Sequence, residues 1–465
     1  MLIKLKILKM TKVGYAIMEK CLKVGFLTTY SGRWPKEVPL QRNQEYGEWL
    51  EKELPQLTIV KSDVLGCGRK ENEEIVAQFK SAGVDVIVMV YGAFTGDDVA
   101  AYLTEMLEVP ILLWAPYEVP FEKDDRLYSN ALCSMTMNSA ALRKLGVKCH
   151  TVYGSKEDER AAAKVRQILM AYHVIKCMKH TNLGLLGYRP TAFYNCTFDE
   201  ALIRKVFGIK IEETDLKVVF DKMDALDRSL WEEDMKMMSE RFDTTKLPEG
   251  HLENHSKLYL SLKEVMAEQG YDFGVLKCWP EMGNLHTTPC AVLGRLADDG
   301  INIGCEGDVD AEIAQMAEYY LTGQPSFITD MINIDEEKNV MTFWHCGNAA
   351  PSLCNPNYEV QIRNHPLAGQ GTAFYGSLKP GAVTIARFCN LDGEYKLFLM
   401  NGEAVDMDRY TRGIMANVKV KAPVRDVIER IIEEGVPHHY SLVWADVAAE
   451  LKMICQLLNI PVIEL

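Results

Sequence analysis

Short apolar runs that alternate with amphipathic segments constrain the fold of this chain more than any other feature of its sequence. The strongest runs are VDVIVMVYG, from Val84 to Gly92, and VPILLWAP, from Val109 to Pro116. Near-continuous Val, Ile and Leu are typical of strands that are buried on both faces of a parallel sheet. Residues 71–82, just before the first of these runs, have the spacing of an amphipathic helix. The alternation therefore predicts a doubly wound α/β domain.

The alternating pattern starts again after a long predicted helix over residues 157–178, and it ends near residue 322. From Ser326 onward, short strands such as AVTIARFCN and YKLFLMNGEAV alternate with turns, which is typical of an antiparallel barrel or sandwich. We therefore predict two doubly wound parallel-sheet domains, over residues 1–165 and 166–322, and a C-terminal antiparallel β-barrel-like domain over residues 323–465. Residues 1–22 are interpreted either as an extension at the edge of the fold or as residues read from a start codon ahead of the true one.

Charge and glycine content exclude two classes of ligand. The formal net charge of −14 argues against a nucleic-acid partner, because such a partner requires a basic face. The first strand-to-helix turn, TTYSGRWPKE, holds one glycine, whereas a dinucleotide site needs a glycine-rich turn there. The phosphate-binding pattern G-x-x-x-x-G-K-[ST] is also absent from the sequence. We therefore predict no nucleic-acid partner and no nucleotide cofactor.

The cysteines and the N-terminal residues predict a cytoplasmic protein. The 13 cysteines are scattered and form no C-x-x-C pair, which fits a reducing compartment. The first 20 residues have lysines within every apolar run and no cleavage site of the kind that signal peptides carry. No run of eighteen apolar residues occurs, so we expect no membrane association.

The stretch from Tyr271 to Asp310 contains the strongest candidate for a functional site. Its two apolar runs, FGVLKCW and INIGC, each end in acidic residues, with Glu281 after the first and Glu306 or Asp308 after the second. Carboxylates that follow buried parallel strands face the crevice in which open α/β sheets bind ligands. The sequence Pro-His-His-Tyr near the C-terminus offers an imidazole. Two carboxylates and one imidazole suit a hard to borderline divalent cation.

Each of these residues also has a purely structural explanation. Glu281 can be a surface loop acid, and the EGDVD segment that contains Asp308 can cap the helix that follows it. Adjacent histidines outside regular structure point in different directions, so at most one of His438 and His439 is a ligand. His345, in FWHCGN, ends a predicted strand and allows both interpretations.

Five motifs resemble those of a known family and occur in the family's order. They are GYDFGVLKCWPE, CEGDVDAEIA, FWHCGNAAP, LKPGAVTIARF and PHHYSLVWADV. On these motifs the chain resembles the L-fucose/L-arabinose isomerase family, and it is closer to the fucose isomerase-like branch. The resemblance extends from about residue 23 to the C-terminus, and its specificity lies in the five motifs.

The resemblance implies two Rossmann-like α/β domains followed by a barrel-like β domain. It also implies an aldose–ketose isomerase that depends on Mn²⁺ or another divalent cation and forms a homo-oligomer, often a hexamer. The family's metal-binding glutamate falls on Glu281, its aspartate on Asp308, and its histidine on His438 or His439. Counting back from the C-terminal IPV favours His439.

Further residues receive roles from the same resemblance. Glu306 and Asp310 become acids that support or cap the metal site. His345 is expected either to face the substrate or to support the metal site. Trp279 and Asn348 are candidate substrate contacts by their positions in the motifs, and Trp279 can equally be a core residue.

The chemistry of such an enzyme accounts for these residue types. An aldose–ketose isomerisation moves a proton between C2 and C1, and a divalent cation polarises the carbonyl and stabilises the ene-diolate charge. We predict Glu281 and Asp308 as the acid/base pair as well as ligands, since two carboxylates beside a cation can handle both protons. The sugar is left open among fucose, arabinose, ribulose-type and sulfonated or otherwise substituted hexoses. An anionic substituent would require a cationic side chain, for which Arg33, Arg189 and Arg387 are available.

Two other classes of function compete with the isomerase. Paired α/β domains also occur in non-catalytic two-lobed sugar-binding proteins, although the set of Glu281, Asp308 and His439 argues against that class. A metal-dependent hydrolase or aldolase could use the same ligands, but no lysine suited to Schiff-base chemistry stands in the motifs.

Overall fold

The computed structural model describes residues 21–119 and 127–465. The predicted extension over residues 1–22 therefore lies, except for its last two residues, outside the described ranges. The chain divides into two compact units, one ending at Cys177 and the other running from Met178 to Leu465. Each unit is described by itself.

The first unit is a five-stranded parallel sheet with helices between successive strands. The strand order is β2-β1-β3-β4-β5, in which the direction of winding reverses between β1 and β3. This is the arrangement predicted from the alternating apolar runs, and the strand VIVMVY is completely buried. Its strands are β1 (Lys23–Thr29), β2 (Thr58–Lys61), β3 (Val86–Tyr91), β4 (Ile111–Ala115) and β5 (Cys149–Tyr153), and its helices are α1 (Glu37–Glu53), α2 (Arg69–Ala82), α3 (Asp98–Leu107), α4 (Ala131–Lys144) and α5 (Glu159–His180).

The second unit begins with a four-stranded parallel sheet of order β7-β6-β8-β9. The order again reverses next to its first strand, so the loops after β6, β8 and β9 share the edge at which open α/β sheets bind ligands. Its strands are β6 (Asn182–Leu186), β7 (Lys210–Thr214), β8 (Phe273–Leu276) and β9 (Ile303–Gly304). Its helices are α6 (Glu200–Val206), α7 (Leu216–Ala225), α8 (Arg228–Arg241), α9 (His251–Gln269), α10 (Glu281–Asn284), α11 (Cys290–Asp298) and α12 (Val309–Thr322).

A nine-stranded mixed sheet forms the rest of the second unit. Its order is β12-β13-β16-β11-β10-β17-β14-β15-β18, with a further pairing between β15 and β16. Its strands are β10 (Phe327–Asp335), β11 (Val340–His345), β12 (Gln361–Arg363), β13 (Ala373–Ser377), β14 (Gly381–Leu391), β15 (Glu394–Val405), β16 (Ile414–Val420), β17 (His439–Val443) and β18 (Val462–Glu464), and its helices are α13 (Val424–Glu434) and α14 (Ala448–Leu458).

The predicted fold class is confirmed for the two parallel sheets but not for a closed antiparallel barrel. Strands β13 and β16 pair in parallel, as do β15 and β18, while the other pairings in this sheet are antiparallel. Alternating hydrophobicity identifies a half-buried strand but does not say which strand it pairs with or in which direction. The sequence pattern could therefore predict these strands without predicting their mixed pairing.

The register of this sheet places Asp330 between a histidine and a tryptophan of the neighbouring strands. Asp330 of β10 lies opposite His439 of β17 on one side and opposite Trp344 of β11 on the other. Residues paired across adjacent strands lie about 5 Å apart, so their side chains can meet on one face. The pairing brings together residues that are about 100 positions apart in the sequence.

Helix α12 carries two acids inside the protein. Glu312 and Glu318 are fully buried, and neither oxygen of Glu312 has a hydrogen-bond partner among the described residues. Ser441 donates its hydroxyl to Glu318 Oε2. Burial raises the pKa of Glu318 to about 8 and the pKa of Glu312 well above its usual value. Both side chains are therefore neutral acids at pH 7.

We expect Glu318→Gln to flatten the pH dependence of stability. The proton on Glu318 stabilises the fold fully below the ordinary pKa of 4.5, and this contribution is lost as the pH rises toward about 8. Glutamine keeps the shape of the neutral acid and does not titrate. The free energy of unfolding of the variant should rise relative to the wild type by roughly 1 kcal/mol per pH unit across this window, measured by urea unfolding. Glu337→Gln, on an exposed turn, is the matched control. Parallel profiles for Glu318→Gln and the wild type would contradict the expectation.

The helices within the described ranges include none with both the length and the apolar composition that crossing a bilayer requires.

Candidate metal centre

The turn between β9 and α12 presents the acids that the sequence singled out. Glu306 has a φ of 58° and Gly307 a φ of 66°, so the chain bends sharply between the strand and the helix. A Cβ atom at Gly307 would lie 2.1 Å from the carbonyl oxygen of Tyr188, which leaves room only for glycine. Asp308 follows as the N-cap of α12, where its Oδ1 accepts from the backbone N–H of Ala311 at 3.1 Å.

Asp308 is held by a buried arginine. The two terminal nitrogens of Arg387 donate to the two oxygens of Asp308, at 2.8 and 3.1 Å, and both side chains are excluded from solvent. Burial opposes ionisation of Asp308, but the charge of Arg387 and the hydrogen bond from His439 outweigh it and hold the pKa of this carboxyl well below its usual range. Asp308 is therefore a fixed anion with most of its lone pairs already engaged.

His439 is completely buried and lies between two carboxylates. Its Nδ1 is 2.8 Å from Asp308 Oδ2, and because that ionised oxygen can only accept, Nδ1 carries a proton. Its Nε2 is 3.0 Å from Glu306 Oε2 but makes no aligned hydrogen bond to any described residue. Asp308 thus fixes the orientation of the ring and leaves Nε2 facing Glu306.

Glu306, His345 and His439 form a set that can hold a metal ion. One ligand atom from each lies within 4.8 Å of the others, and the three residues are mostly or fully buried. His345 Nδ1, like His439 Nε2, is buried without a hydrogen-bond partner among the described residues. Burial opposes ionisation of Glu306, yet the neighbouring imidazoles of His438 and His439 hold the pKa of this carboxyl below its usual range. An ionised carboxylate and two imidazoles whose buried nitrogens lack partners fit a borderline divalent cation.

A second group borders the same position. Asp330 and His438 join His439 in a set of possible ligands, with His438 Nε2 4.0 Å from Asp330 Oδ1. The amide nitrogen of Asn195 lies 2.7 Å from His438 Nδ1, so Nδ1 accepts and a neutral His438 carries its proton on Nε2. Asp330 Oδ1 is buried and makes no aligned hydrogen bond to a described residue. These two side chains can exchange protons with a group bound beside Glu306.

Two of the predicted substrate-facing residues, Trp279 and Asn348, make contacts of different kinds. Trp279 Nε1 donates to Glu306 Oε1 at 3.2 Å, so this tryptophan borders the metal centre. Asn348 donates instead to the carbonyl of Ile328 at 3.1 Å.

Glu281, the first residue of α10, forms an ion pair with Lys277 at 2.6 Å and belongs to none of the possible metal sets of the described residues. Its second oxygen, Oε2, is buried without a hydrogen-bond partner among the described residues. Among the described residues, Asp308, His439 and His345 therefore belong to possible metal sets, and Glu281 does not.

A cavity of about 400 Å³ opens beside the metal centre. Glu306, His345 and Trp279 contribute to its wall, as do residues 288–290, 365, 367 and 368. Four cysteines also line it, namely Cys278, Cys290, Cys305 and Cys346. Its size suits a monosaccharide, and the position of Glu306 and His345 in its wall would place the sugar against the metal centre.

Sequence reasoning missed several residues of the site because their relevance depends on tertiary pairing. Asp330 lies inside a predicted strand, where it gave no motif signal, and Arg387 was named only as one of three available cations. The family resemblance gives Glu306 a supporting role because it places the metal-binding aspartate on Asp308. The cysteine in YNC, Cys196, lies 3.6 Å from Asp308 and had no signal in the sequence.

Two family models match the chain. Residues 28–179 match the fucose/sulfoquinovose isomerase N-terminal domain, and residues 343–465 match the L-fucose isomerase C-terminal domain. Together they span more than half of the chain, in the order expected of one protein.

The curated proteins that are similar to the chain share the name sulfoquinovose isomerase. Sulfoquinovose isomerase of Alkalicoccus urumqiensis is 26% identical over 387 residues, covering 83% of this chain and 87% of that protein. Sulfoquinovose isomerase of Clostridium sp. strain MSTE9 is 26% identical over 439 residues, covering 92% and 97%. A periplasmic solute-binding protein of Actinobacillus succinogenes with bound D-allose covers 65% of this chain and 92% of that one, at 13% identity and a TM-score of 0.17, too low to support a comparison of folds.

The motif resemblance and the two family models indicate the same family, and the models match an N-terminal and a C-terminal part of the chain. The chain belongs to the fucose isomerase-like family, a family of enzymes.

Proposed function

We propose that this protein is a metal-dependent aldose–ketose isomerase whose cation is held by Glu306, His345 and His439. The observation that carries the proposal is the convergence of one ionised carboxylate and two buried imidazoles, each imidazole with a nitrogen that has no hydrogen-bond partner among the described residues. Glu306 and His345 of this set also line the wall of a sugar-sized cavity. Membership of an isomerase family supports the reaction type. No observation favours the alternative of a non-catalytic sugar-binding protein.

The proposed ligands differ in part from those inferred by motif. Asp308 was expected to bind the cation, but its contacts with Arg387 and His439 favour a role in positioning. It holds His439 by Nδ1 so that Nε2 is available as a ligand, which is the usual division of labour between a ligating histidine and its carboxylate. Mn²⁺ is our proposed ion because the family resemblance implies it and because the carboxylate of Glu306 is a ligand type that suits Mn²⁺.

The bound cation would polarise the sugar carbonyl and stabilise the negative charge that develops as the carbon-bound proton leaves. Proton transfer itself requires side chains with free lone pairs near that position. Asp308 does not suit this task because Arg387 holds its pKa far below the range of a general base.

Asp330 is our proposed general base. Its buried Oδ1 faces His438 and His439 and makes no aligned hydrogen bond to a described residue. His438 carries its proton on Nε2 and is suited to move the oxygen-bound proton. Glu281, predicted as acid/base partner, remains a second proposal for the base. Its Lys277 ion pair would have to open or move first.

The substrate we propose is a monosaccharide, and a sulfonated hexose is the specific candidate. The curated relatives named sulfoquinovose isomerase support this choice. Sulfoquinovose is a glucose whose C6 carries a sulfonate in place of the hydroxyl, so its C1 and C2 are free to undergo the same isomerisation as other aldoses. We further propose that the protein acts in the cytoplasm and as a homo-oligomer, in line with the sequence analysis.

The proposed reaction can be tested by isotope exchange. The purified protein is incubated with Mn²⁺ and a panel of aldoses in D₂O, and ketose formation and deuterium at the carbon next to the carbonyl are followed by NMR. We expect both signals with at least one sugar, and their loss with EDTA or with Asp330→Asn. Glu281→Gln serves as the matched carboxylate change. Exchange that survives EDTA would contradict the metal-dependent reaction, and loss in Glu281→Gln but not in Asp330→Asn would assign the base to Glu281.

A further inference from the structure

The loop after β6 borders the proposed metal centre and carries an arginine, Arg189, that forms no ion pair with an acid of the described residues. The backbone of this loop packs against Gly307, where an added Cβ would lie 2.8 Å from the Cα of Arg189. Further along, Phe193 contacts the rings of Trp279 and His438 edge-on, at 5.4 and 5.9 Å between ring centres. Contacts at both ends therefore hold the loop beside the residues proposed to bind the cation and move protons.

The guanidinium of Arg189 is held by aromatic rings. It lies 5.3 Å from the ring centre of Tyr188 and 5.4 Å from that of Tyr194. Nη1 donates to the carbonyl of Pro190 at 3.2 Å, whereas Nε is buried and has no hydrogen-bond acceptor in the described part of the chain. Stacking of this kind restricts the side chain without using its hydrogen-bond donors.

Arg189 differs in this respect from the buried arginines of the same unit. Arg387 and Arg295 each form a two-pronged ion pair, with Asp308 and Asp234 respectively. Within residues 21–119 and 127–465, Arg189 has no carboxylate at ion-pair distance. A fixed, half-buried guanidinium with spare donors matches the planar, two-pronged geometry with which arginine binds sulfonate, phosphate and carboxylate groups.

The charges of the metal centre leave no cation available for an anionic group on the sugar. Glu306, Asp308 and Asp330 lie at the centre, and Arg387 and the proposed cation already offset their negative charge, so an anionic substituent needs a separate positive group. Arg189 stands on the loop beside the centre rather than among the proposed ligands. It is therefore suited to a group at the end of the sugar that does not react.

We propose that Arg189, held between Tyr188 and Tyr194, binds an anionic group at the far end of the sugar, with a sulfonate as the favoured group. This inference rests on the proposed function, because it assumes that the sugar occupies the site at the metal centre. Arg189 would then determine specificity for substituted over unsubstituted sugars.

The test compares Arg189→Gln with the wild type on two sugars that differ only in the charged group, sulfoquinovose and 6-deoxyglucose. We expect kcat/KM for sulfoquinovose to fall about 10- to 100-fold, mainly through KM, because a charged hydrogen-bond pair is lost. The value for 6-deoxyglucose should change less than about threefold. Arg189→Lys should give an intermediate loss, because lysine keeps the charge without the two-pronged geometry. Arg204→Gln, which removes an exposed arginine on α6, is the control for net charge.

Direct binding separates this inference from the proposed function. Calorimetric titration with sulfoquinovose and with glucose 6-phosphate measures affinity whether or not the sugars are turned over. Binding that needs Arg189 without any isomerisation would contradict the proposed function and support the anion site, and tighter binding of the phosphate would make phosphate the recognised anion. Equal losses for the charged and the neutral sugar, or affinity for both anions unchanged in Arg189→Gln, would overturn the inference.

Discussion

Glu306→Gln is expected to abolish both metal binding and turnover. The substitution removes the one carboxylate among the three proposed ligands and leaves two imidazoles, which cannot balance the charge of a divalent cation. We expect the affinity for Mn²⁺ to fall more than about 100-fold, which is the upper end of what loss of a supporting residue around a metal costs. Activity under metal-limited conditions should fall by at least the same factor. Isothermal titration with Mn²⁺ and the isomerase assay measure the two effects.

Two matched variants distinguish the proposed ligand set from the one inferred by motif. Glu281→Gln should bind Mn²⁺ within a few-fold of the wild type, since Glu281 is paired with Lys277. Asp308→Asn should weaken Mn²⁺ binding by about 10- to 100-fold, because it disturbs the orientation of His439. Normal binding by Glu306→Gln together with lost binding by Glu281→Gln would mean that the motif-based assignment is the correct one.

Arg387→Met is expected to destabilise the protein by about 3–5 kcal/mol. Methionine has a similar length but no charge, so the variant leaves Asp308 ionised, buried and without its main partner, which is the costly way to break a buried ion pair. Taking up a proton would reduce the free-energy penalty of burying the unpaired Asp308 carboxylate. The protonated carboxyl would then form a weaker hydrogen bond with His439 Nδ1. Urea unfolding measures the loss, and Mn²⁺ titration measures the consequence for the metal centre.

The double variant and an exposed pair provide the controls. Arg387→Met combined with Asp308→Asn removes both charges, so it should recover part of the stability lost in the single variant. Arg425→Met breaks the exposed pair with Glu336 and should leave the unfolding transition unchanged. A loss in Arg387→Met no larger than that in Arg425→Met would contradict the structural role assigned to the buried pair.

The sequence predicted the parallel sheets because their physical cause is local. Continuous apolar runs such as the one that became β3 have no other stable place than the interior of a sheet covered on both faces. The helix expected after the EGDVD segment appears as α12, which begins after Asp308 at its N-cap. The mixed nine-stranded sheet was not predicted, since its parallel pairs join strands whose partners are set by tertiary packing.

The sequence predicted which segments form the candidate site, but not which of their residues would bind the cation and which would position others. The EGDVD turn, His345 and the Pro-His-His-Tyr motif were all found in the sequence, and the structure brings them together. Glu306 and Asp308 are two residues apart on one turn. No sequence pattern shows that Asp308 forms an ion pair with Arg387 while Glu306 faces two imidazoles. Asp330 is opposite His439 only through the register of β10 with β17.

The position of the cation is the most direct test of the account. Crystals grown with Mn²⁺ and measured at a wavelength where manganese scatters anomalously would locate the ion without reference to activity. We predict one strong anomalous peak at roughly 2.0–2.2 Å from a Glu306 oxygen, His439 Nε2 and a His345 ring nitrogen, with the Asp308 carboxylate still bound to Arg387. A peak coordinated by Glu281 and Asp308, with Glu306 outside its ligand shell, would contradict the account.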